Sequence, residues 1–451
     1  MNLKMNIKKA FVAVLVFATP ACVYAQTVRI TNELSTQPKI TIDDKTNNYW
    51  KFTKNYFLRD EIVGEAVTAD KRARIKVRLR FDLQALDPAE TSIVSLRPRW
   101  SWNTLEKASD GNLSAVAAAV KPFDSLEIAV GNLESTGYSF SAGPNVSRTM
   151  WTDKYKTSAV VVPGLAGKWQ YIHMLAGDGL QVCYTGIPHL KLGAALISAD
   201  DDADTMLKKG LFKGVAAAAR YSSDLFDAGA VWKGNFGAEK GFKAADSDKA
   251  YQDHTLYAGF TYKGLSKAKI GTKLNAAFGY YTCKESKIAG TKDVKSFLVA
   301  FGADFDFRNR ISDSVSFAVG YSKYGSLKTQ VLPFVIRNTL KYSASKDSAF
   351  ALELCYAQAG LKEKFAVAAA KNVPSGNAAV PTNNKSEYGW MVVIRPGFTF
   401  AMGANTFSMG LKAIVSGDIV PHAKQGHETS WTARRGKQAA IDFPLSWEYK
   451  F

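Results

Sequence analysis

Cysteine is scarce, at four in 451 residues. Cys22 falls inside an N-terminal leader, which leaves Cys183, Cys283 and Cys355, widely spaced and odd in number. That is no disulfide framework. After the leader there is no apolar run of ~18 residues, so no helix here is written to cross a membrane. Histidine is also sparse: His173, His189, His254, His422 and His427 sit in no triad motif, and no Gly-x-Ser-x-Gly elbow occurs. The chain is therefore not expected to be an enzyme, and no cofactor is implied. The acidic run Asp200, Asp201, Asp202 and Asp204 lacks the glycine and glutamate of an EF-hand loop, with Thr205 and Leu211 in their places. His422, His427 and Glu428 do not have zincin spacing, so no metal is assigned. Acidic residues are outnumbered, 40 against 58 Lys and Arg, for a formal charge of +18.

Such a charge usually suggests nucleic acid. The N-terminus argues otherwise. Lys4, Lys8 and Lys9 precede a short apolar stretch, Ala10 to Ala18, and Val23-Tyr24-Ala25 suits a signal peptidase. Residues 1–25 are expected to be a signal peptide. Export removes nucleic acid as a partner and leaves small anions, acidic polymers and lipid headgroups.

The most informative stretch is Arg72 to Leu83. Ala73, Ile75, Val77, Leu79, Phe81 and Leu83 alternate without a break with Arg72, Arg74, Lys76, Arg78, Arg80 and Asp82. A period of two is a strand, with one apolar face and one basic face. Five cations on one face are tolerable where water or counter-ions bathe them. The apolar face needs either a protein core or lipid.

The other end of the chain favours lipid. Ile441, Phe443, Leu445, Trp447, Tyr449 and Phe451 alternate with polar residues. An amphipathic final strand with Trp447, Tyr449 and a terminal Phe451 resembles the assembly signal of bacterial outer-membrane β-barrels. That resemblance implies an all-β fold: one transmembrane antiparallel barrel, with outer-membrane lipid and the barrel assembly machinery as partners. The intervening chain fits it. Ser296 to Arg308 places Phe297, Val299, Phe301, Ala303, Phe305 and Phe307 on one face; Val315, Phe317, Val319 and Tyr321 repeat the theme, as do Phe350, Leu352, Leu354 and Tyr356. Each such segment is a weak signal, and the series is a strong one. About 14 to 18 strands are expected.

Residues 26–70 read as either a first strand or a periplasmic extension, with the barrel proper from 71 to 451. Ser114 to Val120, alanine-rich, reads as a short helix or a poor strand. Ile93 to Thr104 is a strand candidate with Arg97 and Arg99 on one face and Pro98 as a bulge signal. Between Glu134 and Tyr171 the pattern fades into Gly, Ser, Pro and basic residues. A stretch of that length without periodicity is a candidate functional loop, and general porins use one inward loop to narrow the channel.

Lipid on the apolar face puts Arg72, Arg74, Lys76, Arg78 and Arg80 on the lumen, with Arg97 and Arg99 extending the wall. Asp304, Asp306 and Glu353 are the candidates for an acidic wall opposite. The expected function is passive diffusion of small hydrophilic solutes with a preference for anions, since arginine stays charged and its fork suits carboxylate and phosphate. The alternative is a surface barrel acting as adhesin or receptor through basic extracellular loops. By analogy with porins of this size, a homotrimer is the assembly suggested.

Overall fold

The computed structural model describes residues 25–36, 39–43, 51–53, 56–85, 97–98, 115–144, 172–175, 178–197, 214–235, 253–263, 270–285, 292–307, 310–324, 329–331, 334–358, 390–422, 430–443 and 445–450. Residues 1–24 of the expected signal peptide, Arg99, Phe451, the Asp200 to Asp204 run, His427 and Glu428 lie outside them. All statements below concern the described residues.

Twenty-four strand segments make up 18 antiparallel staves, because six staves are built of two segments each. Ala25–Thr36 and Lys39–Asp43 form the first, and Ser430–Asp442 and Leu445–Lys450 form the last. These two pair with each other, from Thr31 opposite Lys450 to Thr36 opposite Leu445, and from Lys39 opposite Asp442 to Asp43 opposite Gln438. The first stave also pairs along its length with Tyr56–Val67. The sheet therefore closes on itself, which leaves no edge of unpaired N–H and C=O groups. It also includes the stretch before residue 71: Ala25–Thr36 lies in the ring between Leu445–Lys450 and Tyr56–Val67.

Strands appear where alternation was strong. Lys292–Phe307, Ile311–Tyr324 and Ser348–Gln358 are strands that contain the alternating stretches Phe297 to Phe307, Val315 to Tyr321 and Phe350 to Tyr356. Ala115–Phe123 is a strand rather than a helix. Alanine has no strand preference of its own; what holds it extended is pairing on both sides, with Ala73–Ala85 and with Leu126–Asn132. Of the Ile93 to Thr104 candidate only Arg97–Pro98 is described, paired with Gln84 and Leu83.

Short connections gather at one rim: Thr68 to Arg72, Asp124-Ser125, Pro188-His189, Ser223 to Leu225, Ala344 to Asp347 and Gly403-Ala404. The first of these is held by Asp70, whose carboxylate accepts from the Thr68 hydroxyl at 2.6 Å and the Arg72 amide at 3.0 Å. Those hydrogen bonds, the Thr68 one foremost, hold the Asp70 carboxyl below its ordinary range.

The two faces of the sheet differ sharply. Val215, Trp232, Leu256, Phe278, Phe301, Phe317, Ile336, Leu354, Ile394 and Val415 are all large, apolar and exposed, on stave after stave. A soluble monomer does not expose a continuous belt of this kind; hydrocarbon is the medium it fits. Stacked rings mark its two ends. Phe226 stacks on Tyr221 and Phe260 near the short-turn rim, and Phe407 stacks on Trp447, while Phe297 on Tyr321 and Trp232 on His254 lie toward the opposite rim. The other face is small and buried over much of its extent: Ala117, Ala119, Ala129, Ala195, Ala216 and Ala218.

Candidate functional site

Those small residues make room for a segment that lies across them. After Leu126–Asn132 the chain turns once as a short helix, Leu133–Thr136. Gly137 ends it in the left-handed region at φ 76, with its amide and that of Tyr138 returned to Glu134 and Leu133. Residues 138–144 then run over the inner face and pair with residues 172–175. The Ala142 amide donates to the His173 carbonyl at 2.9 Å, the Leu175 amide to the Phe140 carbonyl at 2.8 Å, and Ser141 lies opposite Met174. Leu133, Phe140, Ala142, Ile172 and Leu175 are buried.

The wall grips this segment through side chains from several staves. Gln181 of Asp178–Ile187, itself buried, accepts from the Phe140 amide at 2.8 Å and donates to the Tyr138 carbonyl at 3.1 Å. Its amide stands where a neighbouring strand's backbone would stand. Tyr257 of Asp253–Tyr262 donates its hydroxyl to the Pro144 carbonyl at 2.7 Å, and Arg220 donates to the Ser141 carbonyl at 3.3 Å. The contact is close. A Cβ on Gly229 would stand 2.0 Å from the Ala142 carbonyl oxygen, and one on Gly193 would stand 2.8 Å from Leu175 Cδ2.

Tyr138 is where the segment meets the basic strand. Arg74 Cζ lies 4.3 Å from the centre of its ring and Lys76 Nζ 5.8 Å, a cation–π arrangement. Arg74 Nη2 also donates to both carboxylate oxygens of Glu127, at 2.9 and 3.0 Å. The Tyr138 hydroxyl donates to Glu65 at 2.9 Å. Burial, and then the hydrogen bond to the Glu65 carboxylate, push the Tyr138 phenol up, so it stays neutral and remains a donor. Arg72 is exposed at the rim, 3.6 Å from Asp124. Arg78 continues the same face in strand, as do the backbones of Arg80 and Arg97, whose side chains lie outside the described residues.

The three acidic candidates part company. Asp304 is exposed and accepts from Asn275 at 3.1 Å and from Ser314 Oγ; Asp306 is exposed beside it. Glu353 is buried and held by two arginines, Arg337 at 2.9 Å and Arg395 at 4.0 Å. At the C-terminal strand, Trp447 donates its indole N–H to Asn405 at 2.9 Å, and its ring lies 6.5 Å from that of Tyr449.

No protein-family model matches the sequence, and no curated protein matches it. Solved structures do match. OpdL of Pseudomonas aeruginosa superposes with a TM-score of 0.50 at 8% identity, over 95% of this chain and 99% of that one. The fold is porin-like. OpdQ of the same organism gives 0.48 at 8% identity over 94% and 98%, and the anion-selective porin from Comamonas acidovorans gives 0.46 at 9% over 95% and 100%. Identity this low speaks for the barrel alone.

Sequence reasoning named the basic strand and a candidate inward loop, and missed the residues that join them. Glu65, Glu127, Gln181, Arg220 and Tyr257 carry no motif. One signal was available: Ala115, Ala117 and Ala119, then Gly193 and Ala195, then Gly214, Ala216 and Ala218 set small residues at consecutive inner-face positions of three strands. Small residues on one face of successive strands mean that backbone packs there.

Proposed function

We propose that the chain is an outer-membrane pore through which small hydrophilic solutes diffuse passively, with a preference for anions. The observation that carries this reading is the contact of Arg74 and Lys76 with Tyr138, the residue at which the crossing segment meets the basic strand of a closed, lipid-compatible ring. A segment across the inside narrows the bore, and cations on its flank face whatever passes. In a narrow lumen with low-dielectric walls their field raises the local concentration of anions. Glu127 offsets Arg74, and Lys76, Arg78, Arg80, Arg97 and Arg99 are the other basic residues proposed to line the bore. Asp304 and Asp306 supply the acidic counterpart, set on a distant part of the ring. Trp447, Tyr449 and Phe451 serve as the strand read by the barrel assembly machinery, and residues 1–25 as the export signal. A homotrimer is the assembly proposed.

The test is electrical. In planar bilayers under a salt gradient the reversal potential is expected to show anion preference. Replacing Arg74, Arg78 and Arg97 with glutamate is expected to reduce or invert it. An unchanged reversal potential in that triple variant would remove the basic strand from the mechanism.

A further inference from the structure

The cations that follow the crossing segment do not stop at Tyr138. Lys191 Nζ lies 5.0 Å above the ring of Phe140, and Arg220 reaches the Ser141 carbonyl, so successive residues of the segment are each met by a basic side chain from a different stave. Beneath this second pair, at the short-turn rim, there is a cavity of about 380 Å³ lined by Thr185, Ile187, Pro188, His189, Lys191, Arg220 and Ser222, with Leu190 at its edge. Its polar groups are nearly all donors or hydroxyls. Arg220 is fixed in place by Ser222 Oγ at 3.2 Å and by Asp227 at 3.4 Å, and Asp227 is in turn held by Lys263 at 2.9 Å. His189 Nδ1 faces the Ser222 carbonyl at 3.0 Å. Arg220 and Lys263 thus share the Asp227 carboxylate.

We infer that this cavity is an oxyanion subsite of the pore, taking a phosphate-sized solute between the Lys191 ammonium and the Arg220 guanidinium. The cavity is preformed, the two charged side chains that line it, Lys191 and Arg220, are both basic, and Arg220 is oriented before any ligand arrives, which lowers the cost of binding. The lining residues Lys191, Arg220 and Ser222 share the sheet face that carries the crossing segment, so the ligand is a dissolved solute rather than a lipid headgroup. This inference rests on the pore reading above and adds to it a place where a multiply charged anion pauses after the narrowest point.

The experiment uses the full-length protein in planar bilayers carrying chloride current, with inorganic phosphate added to one side and then the other. Phosphate is expected to reduce the chloride current in a saturable way, more strongly from the short-turn side. Lys191→Gln is expected to raise the half-blocking concentration about tenfold, the equivalent of one charge-assisted hydrogen bond, and Lys191→Arg to restore it. Each variant's own phosphate-free current serves as reference, and heat-modifiable migration on a gel verifies that each has folded. Chloride current with no phosphate block, or block unaltered in folded Lys191→Gln, overturns the subsite and leaves the pore standing. No current at all in the folded wild type overturns the pore itself.

Discussion

From Ala115–Phe123 round to Asp253–Tyr262 the inner face of the sheet is mostly alanine and glycine, with a chain segment laid across it and tied down by hydrogen bonds to backbone. From Ile270–Glu285 round to Trp390–Met402 the inner face carries Tyr281, Leu298, Val335 and Val393 instead, and there Arg337, Glu353 and Arg395 link three neighbouring staves. The two regions use the same device, arginine on carboxylate, in different dielectric settings. Arg74 and Glu127 are 33% and 16% exposed, while Arg337 and Glu353 are 23% and 7% exposed. A barrel stave can thus take its inner-face charge either toward a loop that shapes the passage or toward its neighbours, where it joins staves together.

Glycine offers the sharpest way to break the comparison. Gly229→Ala is expected to displace the crossing segment, because the added carbon stands 2.0 Å from the Ala142 carbonyl oxygen and neither backbone can yield cheaply. Gly302→Ala, on the other side of the ring, meets nothing closer than 3.7 Å. Single-channel recording should show a changed conductance or a noisy open state in the first variant and an ordinary trace in the second. Equal traces would mean that the segment does not shape the passage.

The ion groups give the next largest effect. Glu353→Gln leaves two arginines facing each other with little water, and a loss of about 3 kcal/mol is expected. Glu127→Gln, at a partly solvated site, is expected to lose about 1 kcal/mol. Unfolding in urea from lipid vesicles, followed by tryptophan fluorescence, ranks the two; the reverse order would contradict the assignment of settings. Gln181→Leu should fall between them, at about 2 kcal/mol, since it strands the Phe140 amide and the Tyr138 carbonyl in a buried place. That loss should come with a change in conductance, which Glu353→Gln should not produce. Smallest of all is Arg72→Gln at the exposed rim, where a 3.6 Å contact with Asp124 is worth under ~0.5 kcal/mol.

Much of the fold was legible before the structure. The alternation of Ser296 to Arg308 places Phe301 outward and Leu298 inward, and the structure has Phe301 exposed and Leu298 buried. Ala115–Phe123 was less legible, because alanine marks neither a greasy nor a wet face. The site was legible only in halves. The basic strand announced itself, as did the aperiodic stretch beginning at Glu134, but nothing in either names the other. Glu353 was legible only as an acid among apolar residues, and it is the register that sets it opposite Arg395 and beside Arg337 that brings two arginines to it.

Where a period of two is present, as from Arg72 to Leu83 and from Ser296 to Arg308, it fixes which side of the sheet each residue occupies, since backbone geometry sends successive side chains to opposite faces. Composition then settles which face is apolar, and a closed ring follows from the need to satisfy every backbone group in lipid. Which residues meet inside that ring is a different kind of fact. It depends on the stagger between staves and on where one segment crosses them, and both bring together residues as far apart in sequence as Tyr257 and Pro144. Local periodicity carries no information on contacts of that range, so the clamp on the crossing segment, the cavity beside Lys191 and the pairing of Glu353 were decided by tertiary structure.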